Sequence, residues 1–459
     1  MKIALVSHGF PPDSNAGTEI VTLRLAQSLL AQGHEVLVHT TRKDLTRKDG
    51  SIVRGDYEGV PVQRVIRNLF HTSFHTTYED ALCERVFERE VLERFAPDLL
   101  HIHHLIHHSA GLAELAKGRG LPVVMTLHDY WLECPRFGHL RGWDEEICFE
   151  VDFERCSRCL QAFSWRQPRK LRWVAGALRL LRILTRLDLQ RPFQRLWRRL
   201  STARDLRLEG ERHLTPALEP RYVTELEERR RVLFQRLLPN VDRFLCPSDF
   251  LRQRMLALGL PESKTQTQLF GVPRPGPGWP GRRPAALPRF AYVGAVMPHK
   301  GVEILVAAFD LLQQRLGPGR IQLSIHGGWA SDPSYGERVR DLALECGARV
   351  TGAFLPEQIE EILSEVDVLV VPSLWFENSP VTMHDARVRG IPVLCSDLGA
   401  MSELVPEPER RFRAGDPEDL ARAMCAILEG DAGPSRCPLP PSPEEALEKL
   451  LQLYRELCR

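Results

Sequence analysis

Short apolar runs and longer amphipathic stretches alternate along the chain from its first residues. KIALVSH is a compact apolar run, and a helical period follows from about Glu19 to Gln32, with Gly33 where a helix would stop. EVLVHTT, PVQRVI, LLHIHH, PVVMTLH and DRFLCPS read as further strands. Residues 273–288, PRPGPGWPGRRPAALP, predict a linker. A second series follows: strand RFAYVGA, a helix through GVEILVAAFDLLQQ, strands IQLSIHG and ARVTGAF, and helix EQIEEILSEVD. It continues with strands VLVVPS and PVLCSD and helix PEDLARAMCAILEG. After the polar GPSRCPLPPSP, a terminal amphipathic helix runs from Pro443 to about Cys458. Strands apolar throughout their length, alternating with helices, predict parallel sheets covered on both faces. The expected architecture is therefore α/β, with two doubly wound Rossmann-like domains in tandem.

The bulk numbers add limits. A chain of 459 residues exceeds one ordinary core, so two domains are expected. The 61 Lys and Arg nearly balance the 60 Asp and Glu, which argues against nucleic acid as a partner. The opening apolar run is too short for a signal peptide, and there is no membrane-length apolar stretch. Eleven scattered cysteines then read as reduced thiols or metal ligands, and the expected location is cytoplasmic.

The densest chemistry lies in VVPSLWFENSPVTMHDARVRGIPVLCSD, residues 370–397. An apolar strand ends in Pro-Ser, Glu377 sits in the turn, and a helix follows with Ser379 as its predicted N-cap and Pro380 in its first turn. Free N–H groups at such a helix start suit a phosphate or diphosphate. Asp385 lies further along that helix, before Gly390 and the next strand. Taken alone, the stretch also fits a solvated Glu and a surface Asp flanking an ordinary βα unit.

The segment resembles the E-x7-E signature of retaining glycosyltransferases of GT-B fold, glycosyltransferase family 4, with Asp385 in place of the second Glu. The resemblance implies that Glu377 faces the donor sugar and that Asp385 binds the nucleotide ribose, with Asn378, Ser379, Pro380 and Val381 forming the donor loop and helix start. FAYVGAVMPHKGVEILVAAF (290–309) resembles the family's G-R-x-x-x-x-K-G segment. Lys300 is retained there for the diphosphate, while Ala295 stands at the Arg position. Arg274 is a nearby candidate for the missing cation. SHGFPPDSNAGTEIVTLRLAQSLL resembles the family's first strand, loop and helix, with Gly17 at the close approach of backbone to donor or acceptor. PVVMTLHDYWLECPR ends a strand in His128-Asp129, and the resemblance places His128 beside the donor sugar as a catalytic group. The neighbouring His101, His103, His104, His107 and His108 are expected to line the cleft.

The resulting architecture is GT-B, two Rossmann-like domains facing across a cleft. Residues 1–272 form the acceptor-side domain with a basic helical insertion at about 160–235. The linker 273–288 leads to a nucleotide-sugar-binding domain at 289–436, and a terminal helix at 437–459 packs back on the first domain. The resemblance implies no cofactor for the chemistry. Cys134, Cys148, Cys156 and Cys159, ending in C-x-x-C, fit either a closed structural zinc site or reduced packing thiols. Residues 165–207 interleave Arg with Trp, Leu and Phe and hold only Asp188 and Asp205 as acids. They read either as a peripheral contact with an anionic membrane or as a helical pair packed on the first domain.

The expected function is transfer of a sugar, with retention, from a UDP- or GDP-sugar to a saccharide or lipid-linked acceptor. It would serve surface polysaccharide or glycolipid synthesis at the inner face of a bacterial membrane. Two alternatives stand beside it: a non-catalytic GT-B partner subunit, favoured by Ala295 and Asp385, and a GT-B nucleotide-sugar epimerase.

Overall fold

The first apolar run forms strand β1 (Lys2–Ser7), buried from Ile3 onward. Such a strand is stable only between two others, and it pairs in parallel with β2 (Glu35–Arg42) on one side and β5 (Leu99–Ile102) on the other. The computed structural model describes residues 1–459 except 72, 164, 169, 188–191, 193–215, 331 and 431–434. The chain divides into two units. The first comprises Met1–Leu245, Leu258–Gln266 and Leu450–Arg459; the second comprises Cys246–Ala257 and Thr267–Lys449.

The first unit carries an eight-stranded sheet. Besides β1, β2 and β5 it contains β3 (Ile52–Tyr57), β4 (Val60–Ile66), β6 (Val123–Thr126), β7 (Arg243–Cys246) and β8 (Thr265–Thr267), in the order β3-β4-β2-β1-β5-β6-β7-β8. Every residue of β5 and β6 is buried, as helices on both faces require. β3 and β4 form an antiparallel hairpin that the hydrophobic pattern did not predict. β3 holds Arg54, Gly55 and Asp56 exposed, so it shows no apolar stripe, and its turn is built by Glu58 and Gly59, both at positive φ.

Helix α1 (Gly17–Ala31) follows β1. Then come α2 (Ala81–Phe87) and α3 (Gly111–Gly118), and between β6 and β7 lie α4 (Phe153–Ala162), α5 (Lys170–Thr185) and α6 (Pro220–Leu237). The part of the expected basic insertion at 193–207 lies outside the described residues.

The second unit starts with α7 (Asp249–Leu258, described to Ala257 within this unit) and carries a six-stranded sheet. Its strands are β9 (Arg289–Val293), β10 (Gln322–His326), β11 (Arg349–Gly352), β12 (Val368–Val371), β13 (Val393–Ser396) and β14 (Arg411–Phe412), in the order β11-β10-β9-β12-β13-β14. All the pairings are parallel. Helices α8 (Val302–Leu316), α9 (Pro333–Glu345), α10 (Ile359–Ser364), α11 (Val381–Val388), α12 (Ala400–Leu404) and α13 (Pro417–Glu429) connect them. The core under the sheet joins Phe290, Phe309, Leu312, Leu323, Leu420 and Met424. A final helix, α14, spans Pro443–Leu457.

Candidate functional site

Both sheets reverse their winding at one place. In the second unit the chain runs from β9 outward through β10 and β11, then returns to the other side of β9 as β12. The loops after β9 and β12 therefore part in opposite directions and leave a crevice beyond their carboxyl ends, where open α/β sheets bind ligands. Lys300 comes from the loop after β9, and Glu377 comes from the loop after β12.

The structure brings these two residues together. The Lys300 Nζ donates to Glu377 Oε1 at 2.6 Å, and Ser373 Oγ donates to the same oxygen at 2.8 Å. Lys300 also lies over the Trp375 ring, 5.0 Å from its centre. Burial opposes the Glu377 charge, but the Lys300 ammonium and hydrogen bonds from Trp375 and Ser373 outweigh it and hold the carboxyl below its ordinary range. Glu377 is thus an anion at neutral pH.

Backbone geometry fixes this approach. Gly301 has φ +65°, and a Cβ there would stand 2.0 Å from the Pro372 carbonyl oxygen. Only glycine lets the Lys300 loop lie so close to the end of β12. Leu374 N donates to the His299 carbonyl at 2.8 Å, tying the two loops together. At the Arg position of the motif, Ala295 is exposed, and its carbonyl accepts from Tyr292 Oη at 2.7 Å. Burial, reinforced by Glu377 and Tyr335, keeps the Tyr292 phenol well above its ordinary value, so it remains a donor. Arg274 donates to the Pro440 carbonyl.

The rest of the predicted donor stretch is arranged differently in one respect. Helix α11 begins one residue later than expected, with Pro380 in the N-cap position and no side-chain cap. The Ser379 hydroxyl contacts His384 Nε2 at 3.0 Å, a turn further on, and so does not cap the helix. Val381 opens the helix and is exposed. Asn378 is buried and accepts from Ser248 Oγ at 2.9 Å. Asp385 does not meet Lys300; its Oδ1 lies 3.5 Å from Arg389 Nη1, one turn along the helix. Arg389 also reaches Glu360 at 3.2 Å and stacks on Trp279.

In the first unit the winding reverses between β1 and β5, and polar side chains gather at the carboxyl ends of β1, β5 and β6. His8 follows β1, His103 and His104 follow β5, and His128 and Asp129 follow β6. His103 Nδ1 lies 3.0 Å from His128 Nε2, and His104 Nε2 lies 2.9 Å from Asp129 Oδ2. Burial, with His103 and His104 adding, holds His128 well below its ordinary value, so it is a neutral hydrogen-bonding group at pH 7. Burial opposes ionisation of Asp129 too, but His104 and the Trp131 N–H keep its carboxyl below its ordinary range. His101 is buried in β5, and His103, His104 and His108 are buried in the loop after it, so these four brace the edge of the sheet and are not an exposed lining. His101 contacts Thr126 Oγ1 and, at 2.5 Å, Tyr454 Oη of α14.

Sequence reasoning missed Glu19, taken only as the beginning of a helical period. It is fully buried in the first turn of α1. Its Oε1 accepts from Ser14 Oγ at 2.7 Å and lies 3.2 Å from His8 Nε2, while Oε2 has no partner. A Cβ on Gly9 would stand 2.7 Å from that carboxylate, so Gly9 makes room for it. A Cβ on Gly17 would meet nothing within 4 Å, so the chain itself does not require that glycine.

Cys134, Cys148, Cys156 and Cys159 are buried and form no disulfide. Burial pushes the Cys134 thiol up to about 11 and raises Cys156 and Cys159 as well. Among the described residues no group of three or more His, Cys, Asp or Glu is placed to hold a metal ion. The zinc reading rests on spacing alone.

Comparison with known proteins bears on both units. Residues 287–430 match a family described as glycosyl transferases group 1, and residues 16–147 match a glycosyl transferase 4-like domain. A D-inositol 3-phosphate glycosyltransferase of Nocardia farcinica is 30% identical over 202 residues, covering 38% of this chain and 45% of that protein. The amylovoran biosynthesis glycosyltransferase AmsK of Erwinia amylovora is 25% identical over 215 residues, covering 45% and 52%. The chain thus spans about half the length of these relatives. Among solved structures, sucrose-phosphate synthase from Thermosynechococcus elongatus aligns with a TM-score of 0.59 at 17% identity, over 99% of this chain and 98% of that one. Anabaena HepE in complex with UDP and glucose aligns with a TM-score of 0.55 at 13% identity, over 99% and 95%. These likenesses establish the fold.

Proposed function

Because this chain belongs to the GT-B glycosyltransferases of group 1 and family 4, we propose that it moves a sugar from a nucleotide-sugar donor to an acceptor hydroxyl with retention of configuration. The observation that carries this reading is the meeting of Lys300 and Glu377 at the switch point of the second sheet. In the free protein the ammonium neutralises the carboxylate. A donor diphosphate brings two phosphates that compete for Lys300, and Glu377 is then released to accept from sugar hydroxyls. Lys300 stabilises the charge that grows on the diphosphate as the C1–O bond breaks. On the same face the acceptor oxygen bonds to C1, and its proton passes to the departing phosphate oxygen.

Asp385 serves the ribose, after exchanging Arg389 for ribose hydroxyls. On the first unit, His128 is neutral and suits hydrogen bonding to a sugar, whereas the fully buried Glu19 braces Ser14 and His8. A uridine donor is favoured because HepE, of like fold, was solved with UDP and glucose. The relatives that act in polysaccharide synthesis and on inositol phosphate support a saccharide or lipid-linked acceptor in a surface polymer or glycolipid. No cofactor is invoked in this reaction.

The test is nucleotide release from UDP-, GDP-, ADP- and dTDP-sugars, with and without a crude lipid extract. One donor turning over faster with extract, and a product whose anomeric proton retains the donor configuration, would support the reading. An epimerised donor sugar formed without acceptor would replace it with the epimerase, and folded protein binding no donor would replace it with a partner subunit.

A further inference from the structure

Helix α5 buries one face and leaves the other open. Leu171, Ala175 and Leu178 are buried, and Arg182 on the same side donates to Thr46 Oγ1 at 2.6 Å. Gln167 N donates to the Leu69 carbonyl, and Arg172 bonds the Phe70 carbonyl, so the helix is moored at its beginning. The opposite stripe is apolar. Trp173, Leu180 and Leu184 are 85%, 58% and 70% exposed, with Ala177 between them at helical spacing. Ile183 at the edge is 75% exposed, and Leu187 just past the helix is 59% exposed. Large apolar side chains placed in line on the water side cost free energy unless something covers them.

The charge pattern says what covers them. Residues 165–187 hold seven Lys and Arg and no Asp or Glu. Arg172 and Arg179, seven residues apart, lie between the apolar stripe and the buried face, Lys170 lies on the other flank, and Arg186 follows just past the end of the helix. A protein partner with an apolar groove would need no such one-sided charge. A bilayer of anionic lipid offers both phases at the right depths, because the stripe enters the acyl boundary while guanidinium groups reach the phosphates. Among the described residues no helix is long and apolar enough to cross a membrane, so the contact is in the plane of the interface. We propose that the Trp173–Leu180–Leu184 face of α5 docks this protein on anionic membrane surfaces. The proposal does not depend on the glycosyltransferase reading.

The experiment is flotation of the full chain with vesicles of phosphatidylcholine alone or mixed with phosphatidylglycerol. The wild type should float with the anionic vesicles only, and less so at high salt. Trp173→Ser/Leu180→Ser/Leu184→Ser and, separately, Arg179→Glu/Arg186→Glu should each lower the bound fraction about tenfold. These side chains are solvent-facing, so the melting temperature should not move; Trp173→Ser alone should still show a partial loss. Absence of flotation, or flotation unchanged in both variants, would overturn the proposal. So would a wild-type dimer, indifferent to vesicles, that becomes monomeric in the triple variant, since the face would then bind a second copy.

Discussion

The Lys300 ammonium lies 2.6 Å from the Glu377 carboxylate, joining the loop after β9 to the loop after β12. Because Glu377 is almost buried, removing its partner leaves an anion with too little solvation. Lys300→Met should lower stability by about 1–3 kcal/mol, and Glu377→Gln by less, since an amide is neutral. The double variant should be more stable than the two single losses predict. Chemical denaturation of the four proteins measures this coupling.

Gly301→Ala should be damaging. Its φ of +65° and the 2.0 Å approach of a Cβ to the Pro372 oxygen force the Lys300 loop to move. A loss of about 1–3 kcal/mol is expected, with weaker nucleotide binding by calorimetry. Gly17→Ala gives the contrast. With nothing within 4 Å of its Cβ, it should not lower the melting temperature, and any loss of turnover would locate a ligand there.

Ala295 is exposed beside the Lys300 loop, so a longer side chain fits without disturbing the core. Ala295→Arg should leave stability unchanged and tighten binding of a nucleoside diphosphate about fivefold to tenfold, as one more charge-assisted hydrogen bond would. Titration calorimetry with UDP reads it.

Acid should destabilise the first unit early. Burial lowers His39 to about 4 and His101 to about 3, against 6.5 in an unfolded chain. Below 6.5 the unfolded state takes protons that the folded state refuses. Stability therefore falls as pH drops from about 6.5 towards 4, by up to about 1.4 kcal/mol per pH unit for each histidine. His39→Gln should flatten part of that slope in urea melts at stepped pH.

The strands were legible because buried parallel strands are apolar throughout: VLVV and VLCS admit no other reading next to amphipathic helices. The β3–β4 hairpin was not, because Arg54, Gly55 and Asp56 face water and carry no period. At the site, Lys300 and Glu377 were found through motif spacing, but their pairing was invisible, since it arises from a sheet that brings residues 77 positions apart to one crevice. Glu19 was hidden for a related reason. A Glu in a first helical turn ordinarily faces solvent and favours the helix dipole. Only the folded loop shows Gly9, Ser14 and His8 closing around it.

The most direct measurement is turnover and donor affinity of Glu377→Gln on one preparation with its preferred donor. Glutamine keeps the shape but removes the charge that orders the sugar. Nucleotide release should fall about 100-fold or more while the donor dissociation constant changes only a few-fold. Release at the wild-type rate with the same affinity would contradict it, because the crevice at Lys300 and Glu377 would then not be where the sugar is transferred.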